Sequence, residues 1–97
     1  MFEHEKKHYL TRGVDESIPL ELQLFMWQAI DRMPEPKDYL QVFELTESNG
    51  LQCIHHKSEQ PAYEMTYLIP TVKNAVTAKI YCIDSDTYCT MLLAEEY

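Results

Sequence analysis

The stretch Pro19-Leu20-Glu21-Leu22-Gln23-Leu24-Phe25-Met26-Trp27-Gln28-Ala29-Ile30-Asp31-Arg32-Met33 decides the fold, because it is the one segment with the apolar period of a helix. At about 100° per residue, Leu22, Phe25, Met26, Ala29, Ile30 and Met33 share one face and form a core-facing stripe. Ser17 is placed to cap the helix start. Pro19 suits a first turn whose N–H groups have no intrahelical partner, and Pro34 and Pro36 stop the helix. The far side carries Leu20, Leu24 and Trp27 at spacing i, i+4, i+7, flanked by Gln23 and Gln28 and continued by Asp31. Three large apolar residues there need a cover, supplied either by the chain's own arm or loop or by another chain. The expectation taken forward is an interface of Leu20, Leu24 and Trp27, with Trp27 partly exposed in the monomer.

Working outward, the other segments read as strands that this helix must cover. Met1 to His8 are charged and weakly apolar and read as a mobile arm. Tyr9 to Val14 reads as a short strand closed by Gly13, and Asp15 and Glu16 lead to the helix cap. Beyond Pro34-Glu35-Pro36-Lys37, the segments Asp38–Thr46 and Leu51–Lys57 form a hairpin around Asn49-Gly50, since a type I′ turn needs positive φ at both central residues. That turn sets Ser48 opposite Leu51, Leu45 opposite Ile54, Glu44 opposite His55 and Phe43 opposite His56. Phe43, Leu45 and Ile54 then share the core face, with His56 at its margin. Leu40, Val42, Glu44, Thr46, Cys53, His55 and Lys57 take the other face.

Tyr63, Met65, Tyr67 and Ile69 alternate with Glu64, Thr66 and Leu68 in a strand ended by Pro70; Thr71 to Val76 is a loop. Thr77–Ile83 and Tyr88–Ala94 are the last two strands. A two- or four-residue loop between them sets Cys82 directly opposite Cys89, close enough for a disulfide under oxidation. Only the helix offers a connection long enough for a parallel pair. The fold class is therefore α+β: one amphipathic helix on a mainly antiparallel sheet of about five to six strands, in a single domain spanning residues 1–97.

Composition narrows the function classes. Sixteen acidic against eight basic residues give a net charge of -8, and the cations are scattered, so neither nucleic acid nor an anionic membrane is an expected partner. No apolar run spans a bilayer and the start lacks a signal-peptide core, so the expected location is the cytoplasm. Three cysteines without paired spacing suit reduced thiols. Two glycines, Gly13 and Gly50, exclude a phosphate-cradling loop.

Tyr9-Leu10-Thr11-Arg12-Gly13-Val14, Ile18 to Trp27, Asp38-Tyr39-Leu40-Gln41-Val42-Phe43 and the ending Met91-Leu92-Leu93-Ala94-Glu95-Glu96-Tyr97 resemble small proteins of Firmicutes. These are grouped as a domain of unknown function first described in staphylococci. The resemblance implies a small soluble bacterial protein and supplies no catalytic residues.

The one chemically suggestive constellation is Glu44 beside His55, with Cys53 two residues away on the same face. A carboxylate beside an imidazole favours its charged form and suits acid–base work, and a thiol completes the ingredients of a metal site. Exposed cross-strand pairs of this kind are also common and contribute only roughly 0.2–1 kcal/mol. His55 and His56 point to opposite faces and cannot chelate together. His4 and His8 have the helical i, i+4 spacing but lie in the arm. No nucleophile, metal or cofactor is nominated. The leading expectation is a non-enzymatic module that self-associates or docks a protein partner through Leu20, Leu24 and Trp27. The alternative is a ligand-binding protein or enzyme using the Glu44, Cys53, His55 face.

Overall fold

Asn49 and Gly50 both take positive φ, 52° and 80°, and the hairpin they close is the centre of the molecule in a computed structural model that describes residues 2, 6–70 and 74–97. It joins β2 (Leu40–Ser48) to β3 (Leu51–Glu59) in the expected register, Ser48 opposite Leu51 through Glu44 opposite His55 and Phe43 opposite His56. On its outer side β3 pairs antiparallel with β4 (Ala62–Pro70). On the other, β2 pairs antiparallel with β5 (Ala78–Asp84), which pairs with β6 (Tyr88–Leu93). The remaining elements are β1 (Lys7–Leu10), α1 (Arg12–Ser17), α2 (Leu20–Asp31) and a closing 3-10 turn, Ala94–Glu96. The six-stranded sheet runs β1-β6-β5-β2-β3-β4, antiparallel except where β1 lies parallel to β6. The helices form the crossover from β1 to β2, two strands that run the same way with the β5–β6 hairpin between them.

The stripe of α2 packs as its period demands. Leu22, Met26, Ala29 and Ile30 are buried with Met33 beyond the helix end, and Phe25 is half-buried against Tyr67. Beneath them the sheet presents Phe43, Leu45, Ile54, Ile80, Cys82, Cys89 and Met91. The buried sector is wider than that stripe. Gln23 and Trp27, one turn apart, are buried too, because β1 and the segment before α2 wrap the helix on that side.

Several expectations need correction. The Tyr9–Val14 strand ends at Leu10, because Thr11 caps a separate helix. Its Oγ1 accepts from the Val14 N–H at 3.4 Å, and Gly13 lies inside α1. A Cβ on Gly13 would come within 2.7 Å of the Glu96 carboxylate and the Leu93 side chain, so close approach of the C-terminal turn accounts for this glycine. Ser17 ends α1 and does not cap α2, whose N-cap is Pro19. The arm is docked where it is described. Lys7 and His8 belong to β1, Phe2 is buried in the core, and Lys6 Nζ donates to Asp84 Oδ1 at 2.9 Å and to the Ser85 carbonyl at 2.8 Å. Met1, His4 and the rest of the expected arm, with part of the Thr71–Val76 loop, lie outside the described residues.

His56 is fully buried and not at a margin. Its ring stacks on Phe43 at 4.2 Å between centroids, and its Nε2 lies 2.7 Å from Gln41 Oε1. In the last hairpin Asp84 pairs with Cys89 and Cys82 with Met91, a two-residue slip from the expected register. Ser85 N–H donates to the Tyr88 carbonyl at 2.8 Å, and the Lys6 ammonium holds Asp84 at the strand end. An even slip keeps every face, so Cys82 and Cys89 both stay buried, diagonal rather than opposite, as free thiols.

Candidate functional site

The three residues expected to form one interface part company. Trp27 is only 7% exposed, covered by its own chain, because the His8 ring of β1 stacks on the indole at 4.0 Å and 11°. Leu20 and Leu24 are 64% and 51% exposed. The expectation of a partly exposed Trp27 is thus corrected: its own chain covers it, and only the two leucines are exposed among the three. The reason lies in position along the axis: Trp27 shares the side of Leu20 and Leu24 but sits about two turns past Leu20, where His8 of β1 covers it.

Leu20 also opens into a cleft of about 990 Å³ at the head of α2. Its apolar walls are Leu10, Ile18, Leu20, Leu22, Ile69, Pro70 and Val76, and Asp15, Glu16 and Glu21 line it with carboxylates. Two buried glutamines shape it. Gln23 Nε2 donates to the Ile18 carbonyl at 2.8 Å, fixing the turn between the helices. Gln52 donates to the Val76 carbonyl at 3.0 Å and accepts from the Val76 N–H at 2.7 Å, a two-bond clamp on the segment entering β5. Arg12 Nε pairs with Glu16 at 2.9 Å on the surface. The cleft residues come from five separate segments, so no local period could have revealed them. Only the acidic pair ahead of the helix and the exposed Leu20 left a trace in the sequence.

On the opposite face of the sheet, Glu44 and His55 meet as expected, with His55 Nδ1 3.3 Å from Glu44 Oε1. The structure adds Glu64 of β4, whose Oε2 lies 2.5 Å from His55 Nε2, and Lys57, 3.7 Å from Glu44. A ring carrying both protons donates to both carboxylates. Cys53 lies on this face opposite Thr46 and Leu68. Among the described residues no group of three or more His, Cys, Asp or Glu side chains could hold a metal ion. Neither the α2 cleft nor a smaller one of about 280 Å³ lined by Asp38, Leu40, Lys57 and Gln60 takes in Glu44 or His55. Glu44 and His55 thus lie on an ion-paired surface outside both clefts.

Fold and surfaces together define a small α+β domain with an acidic-lined apolar cleft at a helix head. The chain belongs to the family described as staphylococcal protein of unknown function (DUF960), whose model matches residues 7–96. It is similar to the crystal structure of a protein of unknown function from Enterococcus faecalis. The two share 27% sequence identity and a TM-score of 0.88, over 99% of this chain and 94% of that one. No curated protein matches the chain. No helix among the described residues is long and apolar enough to cross a membrane.

Proposed function

We propose that this protein is a non-enzymatic interaction module whose cleft at the head of α2 takes a partner segment with apolar side chains flanked by lysine or arginine. One observation carries the reading: a cleft of about 990 Å³ with apolar walls and three acidic residues, Asp15, Glu16 and Glu21, continuous with exposed Leu20. Apolar walls reward burial of side chains at roughly 25 cal/mol per Å². The carboxylates favour cationic flanks and disfavour acidic ones, which supplies specificity and speeds encounter. Leu24, one turn along, extends the same apolar track. The Glu44, Cys53, His55 face is the weaker candidate, because Glu44 and His55 are paired with each other and with Lys57 and Glu64 on the sheet surface.

Selection from a random peptide library displayed on phage tests the reading. Enriched sequences are expected to combine apolar residues with lysine or arginine. Synthetic versions should bind more weakly in high salt and lose most affinity to Leu20→Asp. Enrichment of acidic sequences, or binding indifferent to Leu20→Asp, would overturn it.

A further inference from the structure

β4 is an edge strand: among the described residues it pairs with β3 alone. Edge strands are ordinarily blunted by shortness, lysines, interior prolines or bulges. The other edge, β1, has such protection, being four residues long and carrying Lys7. β4 does not. It is nine residues long and pairs without interruption from Glu59 opposite Ala62 to Leu51 opposite Pro70. Its sole proline is the last residue, and Glu64 is its single charge. Met65 and Leu68 are 43% and 56% exposed.

Hydrogen-bonding direction alternates along a strand, and the two-residue turn at Asn49-Gly50 fixes its phase. Ser48 and Leu51 exchange bonds, so Cys53, His55 and Lys57 direct their backbone groups to β2, and Ile54, His56 and Ser58 direct theirs to β4. The Glu59 N–H, which reaches Asp38 Oδ2 at 3.2 Å ahead of β2, agrees with this phase. Tyr63, Met65 and Tyr67 therefore bond inward to β3. Glu64, Thr66 and Leu68 hold their N–H and C=O out to the open edge.

We propose that β4 pairs antiparallel with β4 of a second copy about a two-fold axis at Thr66, joining two sheets into one. Paired residues must both face outward, so the axis falls on a residue. Thr66, the midpoint of Ala62–Pro70, gives overlap along the whole strand. In that register Thr66 meets its own copy and Glu64 meets Leu68. On the other face Tyr63 meets Ile69 and Met65 meets Tyr67, extending the half-buried apolar row across the junction. No like charges are opposed. Each copy carries a net charge of -8, so the pairing strengthens as salt screens the repulsion, the opposite of the behaviour expected at the cleft. This surface shares only Ile69 and Pro70 with the cleft, and the pairing does not depend on the cleft's occupant.

Sedimentation equilibrium on the full chain, with Thr66→Lys, Thr66→Glu and their equimolar mixture, tests the register. The wild type should be a dimer. Each variant alone places like charges across the axis and should dissociate roughly fivefold more readily. The mixture, with lysine facing glutamate, should recover. Amide exchange at Glu64, Thr66 and Leu68 should slow with concentration in the wild type, a readout independent of the variants. A wild type monomeric at every concentration and salt, a dimer indifferent to both substitutions, or folded variants whose mixture fails to recover would each overturn the proposal.

Discussion

His56 has an environment that a surface histidine never meets: it is fully buried, stacked on Phe43, 5.1 Å from the Tyr63 ring and bonded to Gln41. Burial first, and the neighbouring His55 second, push its pKa down to about 4. The unfolded chain, with an ordinary histidine near pH 6.5, binds more protons than the folded one between those values. Stability from this group is therefore complete above about pH 6.5 and is lost as pH falls towards 4. The loss should reach roughly 3 kcal/mol, read as a falling urea midpoint across that window, and should flatten in His56→Phe. An unchanged midpoint from pH 7 to pH 4.5 would contradict the burial. At the last hairpin, burial and then the Asp84 carboxylate, which accepts the Cys89 thiol at 3.2 Å, push the Cys89 pKa up to about 12; burial raises Cys82 well above its ordinary value. Both thiols are poor nucleophiles where they stand.

Along α2 the same helix holds three kinds of position, and the stability cost of truncation should separate them. The stripe Leu22, Met26 and Ile30 meets the sheet, Trp27 meets β1, and Leu24 meets solvent. Trp27→Ala should cost about 3–5 kcal/mol, as large core truncations do, and Leu24→Ala should stay within about 0.5 kcal/mol. Urea denaturation of the two variants distinguishes a buried tryptophan from an interface anchor. Equal, small losses would return Trp27 to the surface. The closing elements are joined more lightly. Glu96 accepts from Thr11 Oγ1, from the Leu93 N–H at 2.8 Å and from the Gly13 N–H at 3.1 Å, and these bonds lower its pKa. That carboxylate ties the C-terminal turn to the start of α1, on the side where β1 runs beside β6.

At the scale of the molecule, the N-terminal segment closes the sheet's first edge. Phe2 enters the core, Lys6 clamps the β5–β6 turn, and β1 adds the one parallel pairing among the described residues. Burial works to raise the pKa of Asp84, yet hydrogen bonds from Lys6 and Cys89 outweigh it and hold the carboxyl below its usual range. Phe2→Ala should cost roughly 3 kcal/mol, with faster amide exchange from Ser85 to Cys89. A variant as stable as the wild type, with that turn still protected, would mean that Phe2 contributes nothing to the core. Asp38 performs a similar service at the other end, its Oδ2 accepting from the Glu59 and Gln60 N–H groups at 3.2 and 2.9 Å to join the start of β2 to the β3–β4 turn.

What the sequence determined by itself is whatever depends on neighbours along the chain. The α2 stripe follows from a period of 3.6. The β2–β3 register follows from the two positive-φ residues Asn49 and Gly50, which also bring Glu44 to His55. Cys82 and Cys89 share a face for any loop of even length, because strand faces survive an even slip; their exact partners did not follow, since Lys6, far away in sequence, helps to hold the turn. Tertiary structure alone decided the rest. His8 covering Trp27, Phe2 entering the core, Glu64 reaching His55 and five segments meeting in one cleft are contacts between distant residues. Each is selected by the competition of several surfaces for the same partner, and no local period encodes the outcome of that competition.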